Sequence, residues 1–136
     1  MLQRIEDLLK KEADFAFETT LATRSFAGTV SLAQQKGFVV SLLYFWLNSV
    51  ELAKMRVAHR VKEGGHNIPE EVIERRYHRG IKNLFDLYLP ICDNVMVFDY
   101  SENTHKLIYK KTGFQQIDIT DEFIFRKIYN GKHQGN

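Results

Sequence analysis

The run Phe38-Val39-Val40-Ser41-Leu42-Leu43-Tyr44-Phe45-Trp46-Leu47 constrains this chain more than any other stretch. It falls well short of the ~20 apolar residues that a membrane helix needs. Its apolar character is nearly continuous rather than alternating, so it reads as a strand buried on both faces of a parallel sheet. Gly37, suited to a left-handed helix end, stands just before it and closes a helix over Ser25 to Lys36. Upstream, Asp14 to Thr20 is a second short apolar run that exits through Glu18-Thr19-Thr20, as a parallel strand does when its carboxyl end reaches a site. The three pieces form a strand, helix, strand unit.

Around this unit the hydrophobic spacing places helices. Leu2, Ile5, Leu8 and Leu9 make an amphipathic first helix. Asn48 or Ser49 caps a helix that runs to about Glu63, with Val50, Ala53, Val57 and Val61 on its inner stripe, and Gly64-Gly65 ends it. Asn67-Ile68-Pro69-Glu70 marks another helix start. Its stripe is Ile73, Tyr77, Ile81, Leu84, Phe85 and Tyr88, and Pro90 ends it. Asp93 to Asp99 is a further strand, Lys106 to Lys110 and Gln115 to Ile119 a candidate hairpin about Thr112-Gly113, and Asp121 to Tyr129 a short helix or strand. The expected class is α/β, a mainly parallel sheet in a three-layer fold with helices on both faces. Residues 1–130 are expected to form one domain, and Gly131 to Asn136 a disordered tail.

Bulk properties exclude several functions. Nineteen basic against 17 acidic side chains in 136 residues give a formal charge of +2, and the bases interleave with acids rather than forming one stripe, so nucleic acid is not the expected partner. Cys92 is the single cysteine, which rules out an internal disulfide or a cysteine-based zinc site and suits a reducing compartment. The amino terminus has acidic residues and no signal-peptide core, so a cytoplasmic location without membrane association is expected.

Three places carry residues of chemical interest. In Phe17-Glu18-Thr19-Thr20-Leu21 an anionic acceptor and neutral hydroxyls stand within one turn, a set that orients a substrate hydroxyl; the structural alternative is a capping threonine behind a surface glutamate. Arg56 and Arg60 lie one turn apart on one helix, and Arg75 and Arg76 return on the next after a glycine turn. Forked guanidinium groups at such positions suit phosphate, whereas the alternative is pairing with Glu63, Glu70, Glu71 and Glu74 at the surface. His59, His66 and His78 lack an acidic cluster at ligand spacing, so no metal site is expected there. At the third place Asp99 and Ser101 meet a nucleotide base or, the favoured reading, make a turn.

Taken in order, Phe15-Ala16-Phe17-Glu18-Thr19-Thr20-Leu21, Trp46-Leu47-Asn48-Ser49-Val50-Glu51-Leu52-Ala53 and Arg56-Val57-x-x-Arg60-Val61-x-x-Gly64-Gly65-His66-Asn67-Ile68-Pro69 resemble the zeta-toxin family, and the likeness continues through Glu74-Arg75-Arg76-Tyr77, Asn83-Leu84 and Asp99-Tyr100-Ser101. It covers about Met1 to Ile108. The resemblance implies a P-loop kinase fold and an enzyme using ATP and magnesium to phosphorylate a nucleotide sugar such as UDP-N-acetylglucosamine, with an antitoxin as a partner in many members. It implies that Glu18 and Thr20 belong to the substrate side, and that Arg60 with Arg75 or Arg76 belongs to a lid reaching the ATP phosphates.

The departures are as informative. Family members open with a strand and a Gly-x-x-x-x-Gly-Lys-Ser/Thr loop whose amides and lysine cradle phosphate. No glycine of the 136 residues is followed by that pattern, and the family's catalytic aspartate has no counterpart here, so no catalytic residue is assigned. The resemblance therefore implies the substrate side and lid of a kinase, inactive by itself and binding neither ATP nor magnesium tightly alone. It leaves an open sheet edge for a P-loop-bearing segment, an antitoxin or a second copy. The alternative expectation is a non-enzymatic anion-binding or regulatory protein.

Overall fold

The computed structural model describes residues 2–133. Helix α1 (Leu2–Lys10) buries Ile5 and Leu9 at helical spacing. Helix α2 (Phe26–Gln35) buries Phe26, Val30 and Ala33, and Gly37 follows it at φ +88°, the left-handed conformation expected of a helix end. Strand β1 (Ser41–Trp46) is shorter than the apolar run that contains it, because its ladder begins only where Ser41 meets Asn94 of strand β2 (Asn94–Asp99). Between those strands lie α3 (Val50–Lys62), α4 (Glu70–Asn83) and a short turn of helix, α5 (Leu89–Ile91). Strand β3 (Lys106–Thr112), strand β4 (Gln116–Ile119) and helix α6 (Glu122–Asn130) complete the order. The hairpin turns through Gly113 at φ +65°, and Asp121 settles the last segment as a helix by accepting from the Ile124 amide at 3.0 Å.

The sheet has the order β1-β2-β3-β4. The α/β class holds, but the expected mainly parallel sheet does not. Only β1 and β2 are parallel, while β2–β3 and β3–β4 are antiparallel. Tight turns after β2 and β3 leave no crossover, and a parallel pairing needs one. A bulge between Val97 and Phe98 leaves Ile108 unmatched on β3, so Ile108 and Tyr109 are buried in succession.

Ile5, Leu9, Phe26, Val30, Ala33, Ile81 and Ile128, from α1, α2, α4 and α6, join Trp46, Val95 and Val97 in one core on one face of the sheet. On the opposite face of β1, Leu43 and Phe45 remain 54% and 46% exposed. Asp14 to Thr20 also differs from expectation: it forms no regular element and pairs with no strand among the described residues. Aromatic contacts hold it instead, Phe15 against Phe38 at 6.4 Å and Phe17 against Phe26 at 4.9 Å.

Pro90 does not stop the helix that begins at Glu70. A wide π turn over Leu84–Tyr88, with the Leu89 amide donating to the Leu84 carbonyl, carries the chain on to Ile91. Proline lacks an amide and crowds the preceding turn, and the extra residue in the wide turn absorbs that conflict. Within the expected tail Gly131–His133 forms a 3-10 turn, and residues 134–136 lie outside the described residues. No helix among the described residues is long and apolar enough to cross a membrane.

Candidate functional site

The Glu18-Thr19-Thr20 segment is seated on α4 by its backbone. A Cβ on Gly80 would lie 2.6 Å from the Thr20 carbonyl oxygen, a distance only glycine permits. Asn83, buried, donates from Nδ2 to the Leu21 carbonyl at 2.9 Å. Leu21 takes φ +65°, buries its side chain, and donates its amide to Thr19 Oγ1 at 3.1 Å. Tyr88 donates its hydroxyl to the Thr23 carbonyl at 2.5 Å. With the backbone fixed in this way, the side chains of Glu18, Thr19 and Thr20 are left exposed to solvent.

The two arginine-bearing helices form a hairpin beside the carboxyl ends of β1 and β2. Ser49 Oγ accepts from the Leu52 amide at 3.1 Å and starts α3. Gly64 at φ +99° reverses the chain, and the Gly65 amide returns to the Arg60 carbonyl at 2.8 Å. Lys54 of α3 reaches Glu74 and Glu70 of α4 at 3.4 and 3.9 Å, and His59 reaches Glu63 at 3.2 Å. These pairs take three of the acids that the surface-pairing alternative needed. Arg60, Arg75 and Arg76 are exposed and make no ion pair among the described residues. Arg60 stands on α3, and Arg75 and Arg76 on the facing α4.

Arg56 has a different task from Arg60. Its Nη2 donates to the Tyr100 carbonyl at 2.7 Å and to the Ser101 carbonyl at 3.3 Å, and its guanidinium lies 4.8 Å from the Tyr100 ring centre. His105 stacks on Tyr100 at 4.6 Å. Asp99 and Ser101 make the favoured turn: Ser101 donates its amide and hydroxyl to Asp99 Oδ1 at 3.0 and 2.5 Å. Ser101 Oγ also accepts from the Asn48 amide at 3.0 Å, tying the exit of β1 to that of β2. Tyr77 adds a tie from α4, donating to the Leu47 carbonyl at 2.6 Å. Burial pushes the Tyr77 phenol up to about 12 and raises Tyr44 as well, so both stay protonated at physiological pH and Tyr77 remains a neutral donor.

Gly80 was not among the residues singled out from the sequence, and Asn83 entered only through the family likeness, with no role assigned. Each carried a signal: a glycine inside a helical pattern has a packing reason, and an asparagine amid an apolar stripe needs a buried partner. Among the described residues no three His, Cys, Asp or Glu side chains gather at metal-binding distance. A concavity of about 380 Å³ lies elsewhere, between Phe85, Tyr109, Phe125 and Tyr129.

An open α/β sheet with a charged helical hairpin and an exposed Glu-Thr-Thr segment places the chain in the α/β class, whose open sheets generally gather ligands at the carboxyl ends of their strands. Within that class the chain belongs to the zeta toxin family, whose description matches residues 1–112. An uncharacterised protein of Haemophilus influenzae is 38% identical over 69 residues, which are 51% of this chain and 49% of that protein. The chain thus spans about half the length of the curated relative it matches. No solved structure matches the chain.

Proposed function

We propose that the chain provides the substrate side and lid of an ATP-dependent kinase acting on a nucleotide sugar such as UDP-N-acetylglucosamine. The carrying observation is that Arg60, Arg75 and Arg76 stand exposed on the α3–α4 hairpin and, among the described residues, without ion pairs, while Glu18 and Thr20 are exposed on a segment fixed to α4 of that hairpin. Membership of a kinase-like family supports the reading. In it, the arginines neutralise charge on transferring phosphate, and Glu18 and Thr20 orient the accepting sugar hydroxyl. The phosphate-cradling loop, which none of the 136 residues supplies, would come from a P-loop-bearing segment lying along the free edge of β1.

The test mixes the purified chain, ATP, magnesium and UDP-N-acetylglucosamine with and without a polypeptide carrying a Gly-x-x-x-x-Gly-Lys-Ser/Thr loop, and follows transfer by phosphorus NMR. Transfer is expected only in the complemented mixture. Transfer by the chain alone refutes the division of labour; none in either mixture, with no nucleotide-sugar binding, refutes the kinase reading. A second reading, a non-enzymatic binding or regulatory protein with an antitoxin or a second copy as partner, draws on the exposed Leu43 and Phe45 face. A stable stoichiometric complex in light scattering, formed without any transfer activity, would favour it.

A further inference from the structure

Strand β4 and helix α6 lie beyond residue 112, where the match to the family ends, and they carry a surface that the kinase reading does not use. The pairing register sets Ile119 opposite Tyr109 and Ile117 opposite Lys111. Residues paired across strands share a face of the sheet, so both isoleucines stand on the side that holds the core. The helical layer stops short of them: Tyr109 and Lys111 are buried, whereas Ile117 and Ile119 are 55% and 44% exposed. Tyr109 also lines the concavity of about 380 Å³, with Phe85, Leu89, Phe125 and Tyr129, and its ring stacks on that of Phe125 at 5.3 Å. The cleft therefore continues through Tyr109 onto the bare Ile117 and Ile119. Burial raises the Tyr109 phenol, so its hydroxyl stays a donor at neutral pH, and it makes no hydrogen bond among the described residues. Arg126 and Lys132 stand at the same cleft. Each makes one ion pair, with Glu122 at 2.8 Å and Asp86 at 3.3 Å, and keeps further N–H donors to offer. Residues 104–136 hold six lysines and arginines against three acids, while residues 1–103 hold 13 against 14.

We propose that the aromatic cleft and the adjoining Ile117 and Ile119 form a docking site for an acidic amphipathic helix of a partner protein. The helix seats one apolar anchor in the cleft, lays a second over the isoleucines one turn away, and completes the helical layer above β4. Charge complementarity selects an acidic partner: carboxylates beside the anchors meet Arg126 and Lys132, whereas a second copy would bring the same excess of cations to the interface. The form of the bare surface selects a helix. It is a face of the sheet rather than an edge, and β4 is four residues long with Asp118 on its other side, which makes it a poor template for an added strand. The Tyr109 hydroxyl donates to an acceptor on the docked segment. The site stands on residues outside the family match, so it holds whether or not the chain is the substrate side of a kinase.

The experiment selects, on the full chain, from a displayed library of helix-forming peptides with apolar residues fixed at i, i+4 and i+7 and the other positions randomised among acidic, basic and neutral polar residues. Enriched peptides are expected to be acidic and to move the backbone amides of β4 and α6 in NMR titrations. Ile119→Asp and the pair Arg126→Glu, Lys132→Glu are each expected to weaken them about tenfold or more, and lysine-for-glutamate peptides to regain binding to the double charge reversal. Tyr109→Phe removes only the hydroxyl and is expected to weaken binding about threefold. Ile119 and Arg126 are exposed, and the amide spectrum of each variant shows that the fold is kept. Enrichment of neutral or basic peptides, shifts confined to other strands, or no enrichment overturns the proposal. So does light scattering that shows a dimer abolished by Ile119→Asp, which assigns the surface to a second copy. Binding to phosphatidylserine vesicles that is lost in the same variants, without peptide binding, assigns it to a membrane and overturns the proposal equally.

Discussion

Asp93 joins three parts of the chain through one carboxylate. Its Oδ2 accepts from the Val40 amide at 2.8 Å and from Gln34 Nε2 at 3.1 Å, so the end of α2 and the start of β1 are fixed to the entry of β2. The Val40 amide, with Gln34 adding to it, holds the Asp93 carboxyl below its usual 3.8. Because the folded value lies below the unfolded one, the stabilisation is complete above about pH 4 and is lost as pH falls through the folded value. The thermal midpoint of the wild-type chain should exceed that of Asp93→Asn at neutral pH, and the gap should shrink below about pH 4; a gap constant with pH would show that the carboxylate charge contributes nothing. Nearby, burial raises the Cys92 thiol to about 11, so it stays protonated and serves as packing in the core. Lys111 is buried but supplied: its ammonium donates to the Leu89 and Cys92 carbonyls at 2.8 Å each, capping the carboxyl end of α5.

At the scale of elements, capping chemistry was the most legible signal. Ser49 caps α3 where the sequence placed a cap, and replacing it with alanine should cost about 0.5–2 kcal/mol. Thermal denaturation measures that cost, and faster exchange at the Leu52 amide locates it; an unchanged midpoint would mean that the hairpin's tertiary contacts alone fix the start of the helix. The α2 end at Gly37, the α3–α4 hairpin and the turn at Gly113 were legible for the same reason, being set by residues within one turn of each other. Asp14 to Thr20 was misread because an apolar run with a polar exit reports extended, partly buried backbone and not whether a neighbouring strand exists. The sheet direction failed likewise: periodicity does not reveal that β2 through β4 are joined by tight turns. In the candidate site, the exposure of Arg60, Arg75 and Arg76 is what their residue types suggest. The seat of the Glu18-Thr19-Thr20 segment depends on Gly80 and Asn83, whose partners Thr20 and Leu21 lie some 60 residues away, beyond any local signal.

Across the whole molecule, the asymmetry of the sheet decides what is finished and what is open. One face carries a continuous core from Ile5 to Ile128, while the other leaves Leu43 and Phe45 to solvent, and the outer edge of β1 has no strand beside it among the described residues. The strands also differ in how they find one another. Strands β2, β3 and β4 follow directly in the chain, whereas β1 reaches β2 only after the whole span that builds α3, α4 and α5. Bringing distant segments together costs chain entropy before any contact offsets it, so non-local pairing is slow. Strand β1 should therefore be the last to join the sheet. In pulse-labelled hydrogen exchange during refolding, amides of β3 are expected to become protected before those of β1, and simultaneous protection would show that the crossover helices dock as early as the hairpin. The parallel pair that frames the candidate site would then be the final piece of architecture to appear, so that binding competence follows the acquisition of most secondary structure rather than accompanying it.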